Sequence, residues 1–506
     1  MKRRSFLKLS AGAGALAGLG DLGFLAQLRP VSAAEATLEP KLVQLHPEIE
    51  PLVRVLENTP RERVLEEIAG RIKRGLTYRE LLAALLLAGV RNIQPRPVGF
   101  KFHAVLVINS AHLASLASPD SDRWLPIFWA IDQFKSSQAA DVKEGDWTLG
   151  PVDSAAVPPS HRAKQAFVEA MDNWDEAAAD AAVVGLARTA GAHEIFELFC
   201  RYGVRDFREI GHKAIYIANS FRALEAIGWH HAEPVLRSLA YAVLDRDHDK
   251  DKGNPAKLDL PVDRPFRKNL ENVKQVRAGW LDGKADAEAS AELLKSVRVA
   301  SANELSELTV TLLNRGASPQ SIFNGIYAGA GELLMQAPGI LSLHATTFTN
   351  AVHYTWQHAR EDETRRLLLL QNAAFLALFR GNSKDKGIRI DQLEPLTPKA
   401  TGPGAIEEIF AEFGQDQGRL KASQKILALL KADPDPRPLA NAARRLIFLK
   451  GRDSHDYKFS SAVLEDVHHL LPPWRDRFLA ASAFYLRGSA DADNSLVQRT
   501  RAALSG

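Results

Sequence analysis

The sequence predicts an all-α chain, and three observations carry that expectation. Segments such as RERVLEEIAGRIKRG, TYRELLAALLLAGV, PVLRSLAYAVL, AELLKSVRV and ETRRLLLLQNAAFLALF place apolar residues every three or four positions. They are built from strong helix formers. Alternating apolar and polar runs of the strand type are nearly absent, and clusters of Pro, Gly and Asp break the pattern at 94–99, 148–159, 245–266, 394–404 and 433–437.

Composition narrows the function classes. A net charge of +3 over 506 residues, with both signs interspersed, leaves no basic footprint for nucleic acid. Cys200 is the only cysteine, so neither an intramolecular disulfide nor a thiolate metal cluster can form. Any metal must be held by histidine, carboxylate or a modified side chain.

The N-terminus reads as an address. Arg3-Arg4-Ser5-Phe6-Leu7-Lys8 matches the twin-arginine export pattern, and a weakly apolar Ala/Gly/Leu stretch and small-residue sites follow. Asp21 and the glycines interrupt that stretch, which argues against a spanning anchor. The expectation is a leader over 1–33, cleavage near Ala33, carriage by the twin-arginine translocase, and a periplasmic protein with no membrane anchor after cleavage. That route carries folded proteins, often around a cofactor, which raises the prospect of a metal.

The first element after the leader to carry chemistry is FHAVLVINSAH at 102–112. It shares His-x5-Asn-x2-His with LHATTFTNAVH at 343–353. His103, Asn109 and His112 stand 241 residues before His344, Asn350 and His353, and Arg74-Gly75 stands at the same offset from Arg315-Gly316. Gly followed by Thr or Ser and an apolar run is a turn and N-cap feeding a helix, written twice. The expectation is a tandem duplication, with repeats at about 60–245 and 300–490 inside one domain spanning 34–506. A second pair follows in order: His212 in GHKAIYIANSFRALE and His455 in SHDYKFSSAVLED.

A duplication folded about a pseudo-two-fold axis would bring His103, His212, His344 and His455 together. Four imidazoles suit iron, copper, zinc or nickel. Asn109, Asn219 and Asn350 are expected to fix the imidazole tautomers from outside the ligand set, with His112 and His353 on neighbouring faces. The duplication is equally readable as a helical-repeat scaffold whose histidines are core residues and bind no metal. Lys458 lies one helical turn after His455. It is either a surface lysine in a charged turn or, if buried, a neutral amine able to take up carbon dioxide as a carbamate. Tyr216, Trp229, Tyr354 and Trp356 stand near the motifs, either as core or as the walls of a pocket for a planar ring.

LDRDHDKDKGN at 244–254 alternates aspartates, but its glycine is misplaced and no glutamate closes it, so a calcium loop is not expected. Nothing in the chain matches a hydrolase nucleophile elbow, a phosphate loop or a dinucleotide fingerprint.

Taken together, GHKAIYIANSFRALEAIGWHHAEPVLRSLAYAVL, LHATTFTNAVHYTWQHA and DSHDYKF resemble the questin oxidase-like family, in scattered motifs over most of 60–490. These are all-helical proteins, some of which cleave rings of anthraquinone-type polyketides with dioxygen. The family's early His motif, its mid-chain Gly-His motif, its His-x-x-Thr and its late His-x-x-Lys would be His103, His212, His344 with Thr347, and His455 with Lys458. The resemblance implies one Fe(II) per chain held by the four histidines and a carboxylated Lys458, acting with dioxygen on a small aromatic or quinone-like substrate. The twin-arginine leader and the insertion at 245–266 depart from the fungal members. A metal-dependent hydrolase using a carbamylated lysine fits less well, because such sites usually add a carboxylate and often a second metal.

Overall fold

The computed structural model describes residues 42–246, 252–382 and 385–505. The twin-arginine segment and Asp247, Asp249 and Asp251 lie outside them. The described chain is helical throughout, and its one β-bridge is an isolated pairing of Lys284 with Ala317. No described helix is long and apolar enough to cross a membrane.

The helices fall where apolar periodicity places them. TYRELLAALLLAGV becomes Tyr78–Asn92, opened by a capping box in which the Thr77 hydroxyl accepts from Glu80 N and the Glu80 carboxylate accepts from Thr77 N. Its Leu and Ala side chains are buried nearly all round, which explains why its apolar pattern is almost continuous. ETRRLLLLQNAAFLALF becomes Asp362–Arg380, with an equally buried leucine run. The predicted breaks at 94–99 and 148–159 are interhelical segments, and those at 394–404 and 433–437 end on the first residues of Pro403–Glu412 and Arg437–Lys450.

The Arg-Gly turn is made twice with the same local geometry. Gly75 has φ +104° and Gly316 φ +106°, values that suit glycine, and Thr77 and Ser318 each cap the helix that follows. Beyond that turn the two histidine segments differ. His344 lies in the first turns of one unbroken helix, Ile340–His358. His103 follows a 3-10 turn at Phe100–Phe102 and opens a short helix, His103–Leu106, which is offset at Val107 from Ile108–Leu116.

Four helical segments position the site. The His103 segment packs on His212–Ile227, that helix on Ile340–His358, that one on Ser454–Asp466, and the last back on Ile108–Leu116, which closes a ring. All four run the same way. His212 meets His344 and, ten residues further along both helices, Arg222 stacks on Tyr354. Asn109 reaches Asn219 beyond the His103–His212 pair, and Asn350 reaches Asp466 beyond the His344–His455 pair. The histidines therefore gather at the N-terminal end of a parallel four-segment bundle, where the helix dipoles are positive.

Candidate metal centre

Each histidine owes its place to a local device. His212 is the first residue of its helix, preceded by Gly211 in the left-handed region at φ +84°. A Cβ on Gly211 would lie 2.7 Å from Cδ2 of Phe348, so glycine is also what lets the His344 helix come this close. His455 follows the N-cap Asp453, whose carboxylate accepts from the His455 and Asp456 amides. Asp456 is pinned in turn by both arms of Arg487, at 2.9 and 2.7 Å. Gly99 brings the main chain against the rings: a Cβ there would lie 3.7 Å from Cε1 of His212 and 3.8 Å from Cε1 of His103.

The four rings form a closed square. Centroids are 5.0 Å apart for His103 and His212, 4.3 Å for His212 and His344, 5.3 Å for His344 and His455, and 4.6 Å for His455 and His103. The ligand atoms of His103, His212 and His344 all lie within 4.8 Å of one another, close enough for one ion.

The outward nitrogens are already engaged. Nδ1 of His103 lies 3.0 Å from the Phe100 carbonyl, Nδ1 of His212 2.7 Å from that of Glu209, and Nδ1 of His344 2.6 Å from that of Ile340. A carbonyl only accepts, so each of these nitrogens carries the hydrogen and each Nε2 keeps a lone pair. Nδ1 of His455 stands 3.5 Å from the Asp453 carboxylate, which favours the same tautomer. Nε2 of His103 then faces Nε2 of His212 at 2.9 Å, and among the described residues the buried Nε2 atoms of His344 and His455 have no hydrogen-bond partner.

Burial reinforces neutrality. It is the largest effect holding His103, His212 and His344 well below the usual imidazole range, and charge on Lys458 and on neighbouring rings pushes the same way. Lys458 is buried, with Nζ 3.4 Å from Nε2 of His212, and burial pushes its ammonium down to about 7. The surface reading of this lysine is thus set aside by its position. An inward set of neutral nitrogens beside an amine that is readily neutral fits a borderline divalent metal.

The asparagines do not take the role expected of them. Main-chain carbonyls hold the imidazoles, because a histidine near a helix start finds the carbonyl three or four residues back within reach. Asn109 donates to Asn219, Asn219 donates to the Leu106 carbonyl, and Asn350 donates to Glu465 and Asp466. The Thr347 hydroxyl reaches the His344 carbonyl at 3.5 Å. His112 bonds to the Tyr78 hydroxyl, and His353 packs among Phe323, Tyr327 and Trp356. Neither ring joins the square.

The four aromatics do not wall the site either. Tyr216 is core, edge-on to Phe102 with its hydroxyl on Ser238. Trp356 packs on Phe323. Trp229 and Tyr354 line a separate cavity with Phe196, Phe221 and His358, and Tyr354 stands about 15 Å along the helix from His344. At the N-terminal mouth of the bundle, where His103 is partly exposed, the flanking side chains are apolar and were not anticipated. Phe100, Ile340 and Leu341 are 75%, 49% and 38% exposed, and the first two also supply carbonyls to His103 and His344.

Comparison with family models, with curated proteins and with solved structures finds no match to this chain.

Proposed function

We propose that the chain is a mononuclear non-haem iron oxygenase or oxidoreductase of the questin oxidase-like kind, with His103, His212, His344, His455 and Lys458 as its ligands. The observation that carries this reading is the 2.9 Å approach of two Nε2 lone pairs within a square of four imidazoles. Unscreened, those lone pairs repel; a shared cation turns the same geometry into a binding site. In a metal-free scaffold only Lys458 Nζ, 3.4 Å from Nε2 of His212, could ease it among the described residues, and the Nε2 atoms of His344 and His455 would stay without a protein partner.

Fe(II) held by these residues would supply the electrons that activate dioxygen. The protein's own contribution is positioning. Main-chain carbonyls hold three imidazoles with Nε2 inward, which avoids the entropy of orienting them at each binding event. Lys458, carboxylated, adds one anion to four neutral ligands, and the converging helix N-termini favour that negative charge. The exposed Phe100, Ile340 and Leu341 around the mouth favour an apolar, planar substrate such as an aromatic or quinone-like ring.

The chain's N-terminal motif supports export by the twin-arginine translocase and work in the periplasm after cleavage near Ala33. Oxygen uptake tests the reaction. Iron-loaded protein given a hydroxyanthraquinone should consume dioxygen and convert the ring, and His212→Ala should do neither. Metal-loaded protein inert towards every quinone and phenol offered, with no oxygen uptake, would contradict the oxygenase reading.

A further inference from the structure

The interior of the parallel bundle is polar where a bundle core is ordinarily apolar. Beyond the histidine square, Lys458, Thr347, Asn109, Asn219, Asn350 and Ser461 line one small chamber on the bundle axis, with Arg222 at its far end. Burying that many polar side chains is costly unless each finds a partner. Not all of them are matched by protein groups. Among the described residues, buried Asn109 Oδ1 accepts no hydrogen bond, and the only hydrogen bond of Lys458 Nζ is its contact to His212. The chamber allows the centre of a water molecule about 10 Å³ of freedom, room for roughly one water. An aromatic ring cannot enter it.

The far end of the chamber is closed by an ion pair. Arg222 meets the Glu465 carboxylate at 3.0 Å and lies 4.1 Å over the Tyr354 ring, while Asn350 donates to the same carboxylate. Arg222 is 10% and Glu465 30% exposed at the side chain, so this pair stands between the chamber and solvent. The histidine square lies at the other end, where Lys458 Nζ stands 3.4 Å from Nε2 of His212. A polar file therefore runs from half-exposed Glu465, past Arg222 and the three asparagines, to Lys458.

We propose that this file is the route by which molecules the size of water or carbon dioxide reach Lys458, and that the Arg222–Glu465 pair is its outer closure. Organic substrate is confined by size to the opposite face, at Phe100, Ile340 and Leu341. The inference concerns access to one amine and stands whether or not a metal binds.

Cyanate tests it on the metal-free full-length protein. The neutral Lys458 amine adds to the carbon of isocyanic acid, the protonated form of cyanate; the C=N double bond opens and the amine's proton moves to that nitrogen, leaving a urea that peptide mass spectrometry counts at Lys458. Arg222→Ala should speed labelling several-fold, and Ala462→Leu, which fills the chamber wall, should slow it several-fold. Ser461→Val serves the same purpose if the Leu variant does not fold. Phe100→Ala, at the opposite mouth, should leave the rate unchanged. A rate indifferent to Arg222→Ala and to chamber filling, or one raised by Phe100→Ala instead, would overturn the proposal.

Discussion

Nε2 of His103 stands 2.9 Å from Nε2 of His212, while each ring spends its Nδ1 hydrogen on a main-chain carbonyl. Two lone pairs do not hold that separation in a buried place for the sake of packing, since leucine or methionine would fill the same volume without repulsion. The consequences can be measured one at a time.

Gly211 is the hinge of the site. Gly211→Ala puts a methyl 2.7 Å from the Phe348 ring at a backbone φ of +84°. The strain should cost about 1–3 kcal/mol and move the His344 helix away from His212. Urea denaturation should show the loss of stability, and metal affinity should fall with it. An unchanged urea midpoint would mean the helices tolerate separation here.

Acid should weaken the metal-free protein. His103, His212 and His344 are all held below the ordinary value of 6.5, first by burial. The unfolded chain therefore binds more protons than the folded one below that value, and stability falls as pH drops through and beneath 6.5. Lys458, lowered from 10.5 to about 7, adds a loss of the same sign between those two values. Each group contributes up to about 1.4 kcal/mol per pH unit inside its window. Urea midpoints at several pH values should decline towards acid, less steeply in His344→Gln. A flat profile would show that these imidazoles take up protons as readily in the folded chain as in the unfolded one.

Asn350 separates bundle support from ligand support. It donates at 2.8 Å to Asp466, whose carboxyl is buried and pushed well above the carboxylate range by that burial. Asn350→Ala should cost about 1–3 kcal/mol in stability by leaving polar atoms unpaired, with metal stoichiometry unchanged. Metal loss in a folded Asn350→Ala protein would restore the asparagine to the immediate support of the imidazoles.

Phe100 should matter for substrate and for little else. It is 75% exposed, so Phe100→Ala should alter stability by no more than about 0.5 kcal/mol and leave metal content intact. Binding of a planar probe such as anthraquinone-2-sulfonate should weaken in both Phe100→Ala and Leu341→Ser. Equal binding in all three proteins would place the substrate elsewhere.

The helices were legible because periodicity and capping are local, as in Thr77 and Glu80 opening Tyr78–Asn92. The histidine cluster was legible for a different reason: His103 and His344 recur at one offset, and a histidine kept twice on an apolar face asks for a cause beyond packing. The details of support were not legible. The carbonyls of Phe100, Glu209 and Ile340 belong to the main chain and carry no residue signature. Asn109 and Asn350 look like partners for imidazole in one dimension. In three they lie further along the bundle axis, because six residues of helix carry them about 9 Å from the histidines. The exposure of Phe100, Ile340 and Leu341 was hidden as well, since an apolar residue carries no local mark that it faces solvent.

Elemental analysis of the purified, folded protein, alongside His344→Ala and Lys458→Ala, reads the metal site itself. About one iron per chain is expected in the parent and its loss in both variants, as a single site built from these side chains requires. A well-folded parent that takes up no metal, even when supplied anaerobically with Fe(II), would contradict that expectation.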